Sequence, residues 1–363
     1  MIGLRNIWYI AAWDYEVTER PVERIILEKS VVVFRAADGS ASVLDNACPH
    51  RFAPLSRGRV IAGNIECAYH GLRFNSDGKC IHNPHPNGCG PIPPALCVRK
   101  YPVVERHCAI WVWMGDKVPD ETLIPDYHYI DDTENYRTFR GVFELDSHYW
   151  LGCDNALDLT HVTYVHAGGL GGGADNVINE RRELVRDGNS LWCKRYNDDI
   201  VAGPDFRRFN PALNDIKVDK QQNVRWDPPG NILIVILYTK ANEPDACKTS
   251  VYAGNMLCPV SDTKTRFHWS VSRDFALDSD KLDDAMRAVT ELALIKQDKA
   301  MIEDQLTLMG TIDIDELNPV YIQDDVLPLR AKMTLDAMIK TESQERVDEA
   351  LNWRTPHISL TPA

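Results

Sequence analysis

Two Cys-His pairs separated by sixteen residues, Cys48-Pro49-His50 and Cys67-Ala68-Tyr69-His70, constrain this chain more than anything else in it. Each pair is short enough for one loop to carry it, so the fold must bring two loops together at a single tip. Two thiolates and two imidazoles fit either tetrahedral zinc or a two-iron, two-sulfur cluster of mixed ligation. Spacing separates the two. Zinc modules group a Cys pair and then a His pair, whereas here each loop carries one of each. A two-metal cluster needs that mixture, because both loops must reach both metals. Cys48 and Cys67 would hold one iron, and His50 and His70 the other. Neutral imidazoles in place of thiolates raise the reduction potential, which suits an electron store.

The rest of the composition narrows the setting. Ten cysteines in 363 residues are too sparse for a secreted disulfide scaffold. The other eight are expected to be buried small hydrophobes. Forty Lys+Arg against 53 Asp+Glu give a net charge of −13, which argues against nucleic acid as a partner. No run approaches the ~20 apolar residues of a membrane helix. The first residues, MIGLRNIWYI, lack the pattern of a secretion signal, so a cytoplasmic protein with no membrane attachment is expected.

The pattern divides the chain near Lys117–Pro125, predicting residues 1–118 and 119–363 as two domains. The first reads as all-β, with strands at Arg24–Leu27, Ser30–Arg35, Ala41–Leu44 and Ala109–Met114 and a proline-dense loop at Pro84–Pro94. The second mixes types. A helix is expected from Tyr149 to Tyr164, stopped by the glycines Gly168 to Gly173, which form either a lip over a pocket or a plain surface loop. Strands follow at Arg181–Tyr196, Asn231–Tyr238, Thr249–Pro259 and Thr265–Arg273. Long helices are expected at Ser279–Met309 and Leu335–Trp353.

An electron store alone does not need the second domain. Asn155, Asp158, His161 and His166 supply a reason for it. On a helix Asp158 and His161 would share a face, and a helix that loosens near Val165 would return His166 to the same metal. Two histidines and a carboxylate make the facial triad of a non-haem Fe(II) centre with positions open to O₂ and substrate. Asp298, Glu303 and Asp304 on the long helix are the candidate carboxylates, and the pattern does not choose among them. Asn155 either hydrogen-bonds the ligands or caps the local helix. No Gly-rich motif opens a βαβ unit, so a nicotinamide cofactor is not expected to bind this chain.

Across nearly its whole length the sequence resembles the Rieske non-haem iron oxygenases, in their oxygenase (alpha) component. The resemblance rests on Arg5-Asn6-Ile7-Trp8-Tyr9, on Cys48-Pro49-His50-Arg51, and on Cys67-Ala68-Tyr69-His70-Gly71-Leu72. It rests further on Asn155-Ala156-Leu157-Asp158-Leu159-Thr160-His161 with His166. Together with Ala293–Lys299 it is similar to the homo-oligomeric branch that includes vanillate O-demethylase and dicamba monooxygenase. The resemblance implies an α+β chain, with an all-β Rieske [2Fe–2S] domain followed by a helix-grip (START-like) catalytic domain, a curved antiparallel sheet around a long helix. It implies Asp298 as the third ligand beside His161 and His166. It also implies Asp158 as the bridge between a cluster histidine of one subunit and an iron-ligand histidine of the next, within a head-to-tail homotrimer. Ile234, Asn255 and Val289 fall where the branch contacts substrate, and they are unlike the polar groups of the dicamba enzyme.

The function these features imply is oxidation of an aromatic substrate with O₂ and electrons from NAD(P)H, delivered by a separate flavin/iron–sulfur reductase. O-demethylation or monooxygenation of a substituted aromatic acid is the leading expectation. A ring-hydroxylating or angular dioxygenase acting on a larger aryl ether or carboxylate is the alternative within the class. A Rieske electron carrier is the alternative outside it.

Overall fold

The computed structural model describes residues 3–167, 180–243 and 248–354, the last eight as backbone only. Three small antiparallel sheets form the first part. β1 (Trp8–Trp13), β11 (Ala109–Trp113) and β10 (Val103–Arg106) make one. β2 (Val22–Ile26), β3 (Lys29–Arg35), β4 (Ala41–Asp45) and β9 (Lys100–Tyr101) make the second. β5 (Arg59–Ile61), β6 (Asn64–Glu66), β7 (Arg73–Phe74) and β8 (Cys80–His82) make the third. Every residue of β1 and β11 is buried, because these strands are covered on both faces.

The second part is a seven-stranded antiparallel sheet. Its strands are β12 (Arg137–Leu145), β13 (Arg181–Asp187), β14 (Ser190–Ile200), β15 (Val218–Asp227), β16 (Asn231–Lys240), β17 (Thr249–Ser261) and β18 (Lys264–Arg273). Their spatial order is β12-β18-β17-β16-β15-β14-β13. One face packs on the first part in a shared core that joins Trp8, Trp13 and Trp111 to Leu233, Met256 and Cys258. Leu27 and Glu28 also donate main-chain bonds to Pro259 and Val260 at 2.9 and 3.0 Å. The opposite face carries the helices: α1 (Tyr149–Leu157), α2 (Val162–Val165), α3 (Pro204–Phe209), α4 (Asp280–Glu291), α5 (Lys299–Met309) and α6 (Val326–Arg354). α4 and α5 are joined without a break by π-helical turns at Leu292–Asp298. This is the α+β, helix-grip arrangement expected from the sequence.

Alternation assigns each strand residue to a face. Rows of registered partners run across the sheet, such as Gly141–Trp269–Asn255–Ile232–Trp226. Gly141 is required in that row: a Cβ there would lie 2.4 Å from Cζ2 of the Trp269 ring, which lies over it.

Several expectations are corrected. Arg181–Tyr196 is not one strand but a hairpin, turning through Gly188 at φ 57°. The helix begun at Tyr149 ends at Leu157, since Asp158 is extended (φ −90°, ψ 104°). Asp158 and His161 therefore do not share a helical face. α6 begins at Val326, with Pro328 in its first turn, where no N–H is needed. Of the seven other cysteines among the described residues, only Cys153 and Cys258 are buried. Cys80, Cys108 and Cys193 are half-buried, and Cys89 and Cys97 are exposed on loop segments. Cys247 and the glycine run Gly168–Gly173 lie outside the described residues.

Candidate metal centres

The two Cys-His loops are built alike. The Cys48 N–H donates to Ala53 O (3.0 Å) while Phe52 N–H donates back to Cys48 O (2.8 Å). The Cys67 N–H donates to Leu72 O (2.8 Å) and Gly71 N–H to Cys67 O (3.0 Å). In both loops the fourth residue after the cysteine turns left-handed, Phe52 at φ 56° and Gly71 at φ 71°. Both thiols are 2% exposed, whereas His50 is exposed, His70 half-buried, and their rings lie 4.6 Å apart. Burial pushes the Cys48 thiol up to about 11, and the neighbouring Cys67 adds to the effect. A bound metal would reverse that, because thiols deprotonate on coordination. The donor set fits a cluster with its thiolate side inside and its imidazole side facing out.

The second group of donors comes from two chain segments. The break at Asp158 lets the chain restart as α2, with His161 just before it and His166 just after it. One helical turn between them sets their rings 5.3 Å apart. From the helix layer Asp298, 5% exposed, brings Oδ1 to 3.5 Å from His161 Nε2 and 3.3 Å from His166 Nε2. Among the described residues this trio is the one group of three His, Cys, Asp or Glu ligand atoms within 4.8 Å of one another. Glu303 instead pairs with Lys299 (2.8 Å) and accepts from Asp146 N–H, and Asp304 is exposed.

The outer contacts fix the tautomers. His161 Nδ1 is bonded to the main-chain carbonyl of Asp158, and His166 Nδ1 lies 2.8 Å from Gln297 Oε1. Carbonyl oxygens only accept, so each Nδ1 carries its hydrogen and each Nε2 turns a lone pair toward Asp298. Two lone pairs and a carboxylate facing one point repel unless a cation stands between them. Burial works against the charge of Asp298, and with no cation between them only hydrogen bonds from protonated His161 and His166 would hold its carboxyl down at about 2; a bound metal would take the place of those protons. The residues therefore fit a mononuclear metal. Asn155 points Nδ2 at Asp298 Oδ1 (3.5 Å). The Asp158 carboxylate accepts from Thr160 N–H (2.8 Å) and Oγ1–H (2.6 Å) through Oδ1, while its main-chain carbonyl takes the contact with His161. Gln297 was missed from the sequence. The signal lay in its place beside Asp298, where π-helical turns let consecutive residues reach opposite nitrogens of one imidazole.

The trio opens on a cavity of about 160 Å³ walled by Phe143, Phe206, Phe267, Trp269, Ile234 and Ile236. Asn255 and Gln222 add carboxamides, and neither side chain has a hydrogen-bond partner among the described residues. Ile234 and Asn255 thus line the cavity as expected for substrate contacts. Val289 does not: Met286 and Thr290 of the same helix take that place, and Val289 packs in the core.

Comparisons with known proteins agree with this geometry. Residues 7–102 match the Rieske [2Fe-2S] domain, and residues 145–341 match the vanillate O-demethylase oxygenase C-terminal domain. The chain is 31% identical to the oxygenase component of dicamba O-demethylase from Stenotrophomonas maltophilia, over 94% of this chain and 100% of that one. It is 32% identical to the oxygenase component of chloroacetanilide N-alkylformylase from Rhizorhabdus wittichii, over 95% and 98%. The crystal structure of dicamba monooxygenase bound to dicamba superposes with a TM-score of 0.87 at 30% identity, covering 95% of this chain and 100% of that chain. A further structure of that enzyme contains non-haem iron. The chain belongs to the Rieske non-haem iron oxygenases of the vanillate O-demethylase type, as an oxygenase component with a [2Fe–2S] cluster and a mononuclear iron.

Proposed function

We propose that this oxygenase component uses O₂ and reductase-supplied electrons to oxidise a single-ring aromatic acid, by O-demethylation or a related monooxygenation. The observation that carries this reading is the opening of His161, His166 and Asp298 onto an apolar, aromatic-lined cavity of about 160 Å³. An apolar cavity of ~150 Å³ takes up benzene, so this volume suits one substituted ring better than the larger aryl ethers of an angular dioxygenase. The relatives' names, dicamba O-demethylase and vanillate O-demethylase, support the same reaction class.

In this reading residues 1–118 hold the cluster through Cys48, His50, Cys67 and His70, and residues 119–363 hold the iron through His161, His166 and Asp298. When bound, the iron supplies the oxidising chemistry on O₂. The chain's own residues position and shield. Gln297 and the Asp158 carbonyl orient the ligand imidazoles, Asn155 holds Asp298, and the aromatic wall excludes water. With Oδ1 of Asp158 taken by Thr160, its second oxygen is left to accept from His70 of a neighbouring copy, which completes a path His70–Asp158–His161. Exposed aromatics beside the cluster loops (Phe52 78%, Tyr69 64%) and beside the iron site (Tyr164 79%) support such a head-to-tail homotrimer. Among the described residues no helix is long and apolar enough to cross a membrane, and we place the protein in the cytoplasm with its reductase.

The test is turnover of methoxybenzoates by the holoenzyme with NAD(P)H and a generic flavin/iron–sulfur reductase, read as formaldehyde released together with iron per chain. Three irons and stoichiometric formaldehyde are expected. Two irons and no turnover would instead mark an electron carrier.

A further inference from the structure

An aromatic acid brings a negative charge into an apolar cavity, so the charge needs a partner. The cation within the cavity lining is committed elsewhere: Lys299 ion-pairs with Glu303 and donates to the Glu144 carbonyl. At β15, the last strand that the cavity lining reaches, the balance differs. Gln222 is the one residue of β15 in the lining, in register with Ile236, which also lines the cavity. Lys220, two positions before it, lies on the same face of the same strand, opposite Tyr238. Tyr238 in turn packs against Phe206 of the cavity wall, with ring centroids 5.1 Å apart.

Lys220 has no ion pair or hydrogen bond among the described residues. The carboxylates around it already have partners. Glu180, with a side chain 4% exposed, is already held by Arg182 (2.7 Å) and Arg195 (2.8 Å), and Arg182 also pairs with Asp324. Arg182 and Arg195 are engaged by Glu180 and Asp324, with the Asp158 carboxylate also near Arg195, and Lys220 is the cation of the group without a close carboxylate among the described residues. Burial lowers the Lys220 ammonium to about 8, only partly offset by Glu180. A half-buried ammonium without a close counter-ion is costly, and the group that would relieve it is an anion entering beside Gln222.

We propose that Lys220, with the free carboxamide of Gln222, forms the subsite that receives the substrate's carboxylate. This rests on the reading that the cavity takes an aromatic acid. Lys220 acts here as a specificity residue, distant in sequence from the metal ligands and from the motifs that identify the family.

The test measures binding and turnover separately. Equilibrium dialysis of the holoenzyme with 2-, 3- and 4-methoxybenzoate and with their methyl esters should show an acid preference of about tenfold or more in the unaltered protein. Lys220→Met should weaken binding of the best acid by roughly 10- to 100-fold while leaving its ester within about threefold. Lys220→Arg should retain most of the preference, and Gln222→Leu should lose part of it. Circular dichroism establishes that the variants are folded. An unaltered protein without acid preference, or a Lys220→Met variant that keeps it, would overturn the subsite. Acid preference that depends on Lys220 without formaldehyde on turnover would leave the subsite standing and remove the O-demethylation reading instead.

Discussion

Replacing Gln297 by Leu tests the logic of the iron site without touching a ligand. In the native chain Gln297 Oε1 accepts from His166 Nδ1 at 2.8 Å, and His166 is only 4% exposed. Leu removes the acceptor and little volume. The Nδ1–H is then either buried without a partner, at about 1–3 kcal/mol, or lost by a tautomer switch that puts hydrogen on the ligating Nε2. At ~1.4 kcal/mol per factor of ten, iron affinity should fall roughly 5- to 150-fold. The assay is Fe(II) titration of protein depleted of mononuclear iron, with the Rieske EPR signal as the internal count of folded chains. Gln297→Glu, which restores an acceptor and adds a charge, should bind iron at least as well as the unaltered protein. Equal iron affinity in Gln297→Leu would show that the imidazole orientation comes from elsewhere, and the account of this contact would fall.

Asp298→Ala should lose the mononuclear iron and leave the Rieske signal intact, so iron falls from three per chain to two by metal analysis. Asp158→Asn should keep both centres, since its main-chain carbonyl still holds His161, while NAD(P)H-coupled product formation is nearly abolished; full activity would remove its carboxylate from the electron path. Gly141→Val places atoms where the Trp269 ring lies, 2.4 Å from the position of the new Cβ. The expected cost is about 1–3 kcal/mol, seen as a lowered thermal midpoint together with weakened substrate binding, because Trp269 lines the cavity. His268, fully buried between Trp13 and Glu16, is driven by burial from 6.5 down to about 4 despite the pull of Glu16. Its neutral form is the native one, so its stability contribution is present above pH 6.5 and is lost as pH falls toward 4. At ~1.36 kcal/mol per pH unit this is on the order of 3 kcal/mol, and urea titrations of His268→Gln should show a flatter acid limb.

The chemistry of this chain was legible where ligand atoms must come from short, fixed spacings. Cys48-Pro49-His50 and Cys67–His70 could be read because a two-metal cluster demands one thiolate and one imidazole from each loop. The strands of the large sheet were legible where apolar runs were unbroken, as in Asn231–Tyr238. They were misjudged at Arg181–Tyr196, where a strand rich in charge turns at Gly188-Asn189 and returns as a second charged strand. The helix from Tyr149 was overextended because Asp158, Leu159 and Thr160 carry no strong breaker. What ends it is a local turn: the Asp158 carboxylate folds back on Thr160 and its carbonyl is needed by His161.

That break turns the Asp158 carbonyl onto His161, and the end of α2 at Val165 lets His166 leave the helical path (φ −102°, ψ 30°). An unbroken helix would place His161 and His166, five residues apart, on diverging faces. Restarting the helix after Asp158 puts them at opposite ends of a single turn, and the π-helical stretch opposite lets Gln297 and Asp298 clamp the two nitrogens of His166 together. Both irregularities carry a conformational cost within otherwise regular elements, and both sit where ligand geometry has to override helical periodicity. Periodic patterns describe the parts of a chain in which packing alone decides the backbone. Here the backbone was decided by the demand that three donors meet at one point, so the ligand types could be read from sequence while Gln297 and the Asp158 carbonyl could not. Lys220 belongs with the latter: by sequence it is one lysine among many, and only the register of β15 against β16 brings it beside the cavity wall.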